Sequence, residues 1–168
     1  SIFEEDTCPF ELLEGEEEQI ECGYLYVPEE YNDPEGREIE LAVAIIRSLS
    51  DQPTPDPIIY LDGGPGGSAL ADPDSWLESP LRDERDIILL DQRGTGFSLP
   101  SLNCIELEED EEDALAATQA CRDRLANEGV TIRRYVDMIV GNICDTSFVE
   151  NVAGYDVPVA NSVKTLTQ

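Results

Sequence analysis

The chain has no histidine, only one lysine (Lys164), one tryptophan and one methionine among 168 residues. The missing imidazole removes the side chain that most often shuttles protons near neutral pH. It also takes away the commonest nitrogen ligand for zinc, and none of the five cysteines forms a C-x-x-C pair, so no metal or other cofactor is expected. No apolar run approaches the ~18–20 residues needed to span a bilayer, so no membrane insertion is expected. Positive charge is scarce as well. Against 38 acidic residues stand 10 basic ones, a net charge of −28. Such a surface has no cationic field with which to displace phosphate counterions, which argues against nucleic acid and against anionic membranes.

What is present suits a soluble domain. Hydrophobic residues make up 40 % and mean hydropathy is −0.30. The length is that of one domain with a real core. The cysteines are Cys8, Cys22, Cys104, Cys121 and Cys144. A natural division pairs Cys8 with Cys22 and Cys104 with Cys121, each closing a short loop and leaving Cys144 over. That division implies an oxidising compartment, and so a secreted or cell-surface protein. Five reduced, buried thiols are the competing reading.

Along the chain, residues 1–19 read as acidic and irregular. Ile20–Pro28 and Ile39–Arg47 alternate apolar and polar positions and are expected to form an antiparallel hairpin across the turn chemistry of residues 31–36. Ile58–Leu61 and Ile87–Leu90 are continuous apolar runs, the pattern of parallel strands covered on both faces. Each run ends in an aspartate and a glycine-rich loop: Asp62-Gly63-Gly64-Pro65-Gly66-Gly67 and Asp91-Gln92-Arg93-Gly94-Thr95-Gly96. In open α/β sheets the chemistry lies beyond the carboxyl ends of parallel strands, which puts both loops at the functional edge.

Ser68–Leu81 is expected to hold a short helix broken near Pro73 and Pro80. Residues 106–128 read as one helix with an acidic first turn, an apolar stripe of Leu115, Ala116, Cys121 and Leu125, and a stop at Gly129. Composition then shifts. Residues 1–135 carry 34 acids and 9 bases, and residues 136–168 carry 4 and 1. The expected division is therefore a half-domain over 1–135 and a β-rich or extended tail over 136–168, a candidate interaction segment.

The ordered stretches Cys22–Pro28, Ile58–Leu70 (IIYLDGGPGGSAL) and Ile87–Cys104 (IILLDQRGTGFSLPSLNC), with Cys121 in the helix that follows, resemble the secreted α/β-hydrolases of the proline iminopeptidase and tripeptidyl aminopeptidase group. The resemblance runs over roughly residues 8–130. It implies a partial α/β-hydrolase sheet: an antiparallel hairpin, parallel strands and a flanking helix, completed by the C-terminal tail or by a partner. It also implies that Gly63, Gly64, Gly66 and Gly67 form an oxyanion loop, with Gly64 the leading donor. Glycines suit that task because backbone N–H groups must approach the reacting carbonyl without a Cβ in the way. Relatives often carry His where this chain has Asp62. Asp91 and Arg93 are expected to brace the loops.

The family's G-x-S-x-G nucleophile elbow does not occur in this sequence. Ser68 and Ser98 are the weak substitutes, each without a histidine base. The resulting expectation is an incomplete serine hydrolase that supplies the oxyanion half of a site, paired with a second chain or with copies of itself. A non-catalytic binding or self-assembly module derived from the same fold is the alternative.

Overall fold

The computed structural model describes residues 2–13, 15–30, 32–63, 66–109, 113–130, 132 and 135. Its strands are β1 (Ile2–Glu5), β2 (Ile20–Pro28), β3 (Glu38–Ile46), β4 (Ile58–Tyr60) and β5 (Ile87–Leu90). Its α-helices are α1 (Asp74–Leu77), α2 (Glu106–Glu109) and α3 (Ala114–Asn127). The five strands form one sheet in the order β1-β2-β3-β5-β4.

The expected hairpin is present, with β2 and β3 antiparallel from Ile20↔Ile46 to Pro28↔Glu38. The two continuous apolar runs lie side by side and parallel, Ile58↔Ile87 through Tyr60↔Leu89. Strand alternation sorts their side chains between two cores. On one face Ile20, Cys22, Ala42, Ala44, Ile46, Ile87 and Leu89 pack with Ala69 and Leu70. On the other lie Leu25, Val27, Ile39, Leu41, Val43, Ile45, Ile88 and Leu90. Because β5 is buried at every position, both of its faces must be apolar, and that is why it reads as a run and not as an alternation.

Two expectations need correction. The acidic start is not wholly irregular: Ile2–Glu5 pairs antiparallel with Tyr26–Gly23. Its charged side chains hid it, as they do on an edge strand facing water. Within the sheet, strand 87–90 is not at an edge. It lies between β3 and β4, so the outer strand is β4.

The single helix over 106–128 is two helices, α2 and α3, with Asp113 capping the second by accepting the Ala116 N–H at 3.0 Å. Asp113 is thus the point of interruption and a cap. The buried stripe is Ala117, Cys121 and Leu125, spaced four apart, whereas Leu115 is 71 % exposed and Ala116 is exposed too.

The segment after Ser68 breaks at both prolines as expected. Short 3-10 turns at Ala69–Ala71 and Pro80–Asp83 flank α1. The tail, residues 136–168, lies outside the described residues.

Candidate active site

Both glycine loops leave the carboxyl ends of the parallel pair, so the sheet brings them together. Asp91, at the end of β5, is fully buried and ties them. Its Oδ2 accepts from the Ser68 hydroxyl at 2.9 Å and from the Phe97 N–H at 2.8 Å, and Oδ1 accepts from the Leu70 N–H at 3.3 Å. One carboxylate therefore clasps the end of the first loop to the second. Gly96 makes this possible. Its φ is +49°, and a Cβ there would strike the Asp91 carboxylate and the Ser68 hydroxyl.

Ser98 is fully buried. Its hydroxyl donates to the Asp91 carbonyl at 2.7 Å and accepts from the Ala42 N–H at 3.0 Å, strapping the second loop to β3. Ser68 is only partly buried, and its hydroxyl is given to Asp91. A carboxylate is a weak base, so this pair is a poor engine for generating an alkoxide.

Arg93 turns away from the loops. Its Nη1 donates to the Glu29 carbonyl at 2.9 Å, while Glu29 Oε1 accepts from the Tyr135 hydroxyl at 3.0 Å. Tyr135 is fully buried, and that burial, with Glu29 beside it, pushes its phenol well above the ordinary value. The bracing by Arg93 thus runs from the second loop to the end of β2.

In the first loop, Asp62 Oδ1 accepts from the Gly63 N–H at 2.9 Å and the Tyr60 hydroxyl at 3.0 Å, and its carbonyl accepts from Gln92 Nε2 at 3.0 Å. The hydrogen bond to Asp62, then burial, raises the Tyr60 phenol. The Tyr60 ring packs tilted against Trp76, with ring centroids 4.5 Å apart. The Gly67 N–H donates to the Gly63 carbonyl at 2.9 Å and closes the loop. Two of the four expected donors therefore spend their N–H groups inside the loop. Gly66 is exposed with φ +102°, and Gly64 lies outside the described residues. The bracing by Tyr60 and Gln92 escaped sequence reasoning. A tyrosine two residues before the aspartate is the one signal that could have suggested it.

The cysteines pair as Cys8–Cys22 and Cys104–Cys121. Glu106 lies within metal-ligand reach of the second pair, but both sulfurs are spent in the disulfide and Glu106 is held by Arg124 at 2.7 Å. Cys144 lies outside the described residues. Two disulfides are compatible with an extracellular setting. No described helix is long and apolar enough to cross a membrane.

Part of this sequence is similar to that of proteins with hydrolase names. The chain is 35 % identical to the tripeptidyl aminopeptidase of Streptomyces lividans over 96 residues, 54 % of this chain and 18 % of that protein. The tripeptidyl aminopeptidase of Streptomyces coelicolor matches with the same figures. A YuaR protein of Escherichia coli (strain K12) that carries a hydrolase name is 30 % identical over 109 residues, 58 % of this chain and 22 % of its own length. The matches thus cover about a fifth of each relative. No family model matches the chain.

Proposed function

We propose that this chain is the oxyanion-loop portion of a secreted serine hydrolase of the peptidase or esterase kind, inactive by itself and completed by polypeptide that carries the nucleophile, its acid and its histidine. The observation that carries this reading is the Asp91 clasp. Burying a carboxylate to fix the spacing of two glycine loops at the carboxyl edge of a parallel pair is what a preorganised oxyanion site requires. A tight turn alone does not. The relatives' hydrolase names support the class, and the disulfides support export.

The test uses the purified chain with p-nitrophenyl esters, proline and tripeptide amides, and a fluorophosphonate probe. We expect neither turnover nor labelling. Labelling that is lost on Ser68→Ala or Ser98→Ala would show that the chain holds its own nucleophile and would overturn the reading.

A further inference from the structure

Asp62–Gly63 is the only Asp–Gly pair in the chain, and no Asn–Gly pair occurs. An aspartyl carboxyl and the nitrogen of the following residue can close a five-membered imide when the fold lets them meet. Glycine is the residue that hinders this least, because it puts no side chain beside the attacking nitrogen.

The first glycine loop brings the two groups together. The Gly63 N–H donates to Asp62 Oδ1 at 2.9 Å, so the nitrogen sits against the carboxyl it would attack. The Tyr60 hydroxyl donates to the same oxygen at 3.0 Å and holds that carboxyl in place. Gly63 is exposed, and a Cβ built on it would meet no atom within 4 Å. The loop therefore has room for a ring, and water can reach it. The Asp74–Ser75 pair differs. It lies within α1, and the Ser75 N–H donates at 3.3 Å to Asp72, not to Asp74.

We infer that Asp62–Gly63 is a modification site, at which this loop converts spontaneously to an isoaspartyl linkage. With the carboxyl in its neutral form, the Gly63 nitrogen bonds to Asp62 Cγ. The carboxyl's hydroxyl leaves with the nitrogen's proton as water. A second water adds to the Asp62 main-chain carbonyl and breaks its bond to Gly63, so the chain now runs through Cβ and Cγ. The water lost in the first step is regained in the second, and no other reactant is needed. The main chain gains one methylene, and the former Asp62 carbonyl becomes a carboxylate. The bonds to Asp62 from Gly63, Tyr60 and Gln92 all end on atoms that change role. The closure of Gly67 onto Gly63 is then anchored from a longer backbone. None of this depends on the reaction proposed above.

The test incubates the purified chain, disulfides intact, in heavy-oxygen water at mildly acidic pH and 37 °C. Peptide mapping by mass spectrometry with electron-transfer fragmentation identifies isoaspartyl links. The peptide holding Asp62 and Gly63 should gain one heavy oxygen and give isoaspartyl fragments, at a rate within tenfold of a free peptide of residues 58–67. Asp74–Ser75 should stay unchanged. Gly63→Ala has room for its methyl, so it should keep its circular dichroism and react at least fivefold more slowly. Asp62→Glu cannot close the five-membered ring and should not react. An unchanged Asp62 when the free peptide is half converted, equal conversion at Asp74–Ser75, or Gly63→Ala reacting as fast as the native chain would each overturn the inference.

Discussion

Replacing Asp91 by Asn changes one atom type at the centre of the clasp. The amide oxygen, placed at the Oδ1 position, still accepts from Leu70 N–H at 3.3 Å. The amide nitrogen then stands where Oδ2 accepted from Ser68 and Phe97. The Ser68 hydroxyl can turn and accept from it, but the Phe97 N–H cannot. One charge-assisted bond is lost and one donor is left facing another, which costs about 2–3 kcal/mol. For a domain of this size that lowers Tm by roughly 5–10 °C. Ser68→Ala removes only one donor from a carboxylate that keeps two, and should cost about 1 kcal/mol. Urea titration followed by the fluorescence of Trp76, the sole tryptophan, measures both. If Asp91→Asn costs less than 0.5 kcal/mol, or Ser68→Ala costs as much as it does, Asp91 is not the centre of the clasp.

The disulfides close loops with sequence separations of 14 and 17, so Cys8→Ala with Cys22→Ala, or the Cys104 and Cys121 pair, should each lower stability by about 3 kcal/mol in chemical denaturation. Raising NaCl from 0.1 to 1 M shortens the screening length from about 10 to about 3 Å. With a net charge of −28 the Tm should rise, and a fall on calorimetry would contradict self-repulsion as a burden on this fold. Tyr135 has its phenol raised above the ordinary value of 10.0, so the fold favours the neutral form. Its contribution is complete below pH 10 and is lost as pH climbs beyond it toward the folded-state value. Unfolding measured between pH 8 and 11.5 should show stability falling above pH 10, and Tyr135→Phe should flatten that fall.

The strands were legible wherever burial wrote a period into the residues. Ile20–Pro28 and Ile87–Leu90 match their expected bounds, and the contrast between alternation and continuous apolar runs gave the antiparallel and parallel pairings. Sheet order was not legible. That β5 enters between β3 and β4 depends on register, Val43↔Leu90 to Ile46↔Ile87, and no local pattern encodes it. The helical region misled because an acidic run serves equally as a first turn or as an interruption, and only the Asp113 cap decides. At the site, the glycine loops and Asp91 stood out by composition. Ser98 could be named from the sequence, but its work as a strap between Asp91 and Ala42 depends on a β3 contact 56 residues away.

The pairing of β1 with β2 bears on how this sheet can grow. A Cβ at Gly23 would strike the Glu4 carbonyl and the Phe3 ring, so the close seating of β1 depends on a residue with no side chain. Beyond it, β1 offers water the carboxylates of Glu4 and Glu5, a rim that repels any further strand rich in acids. Of the two flanks, then, one is sealed by charge and the other is apolar. An acidic strand that extended this sheet would meet less repulsion at the β4 edge, the side on which the glycine loops lie.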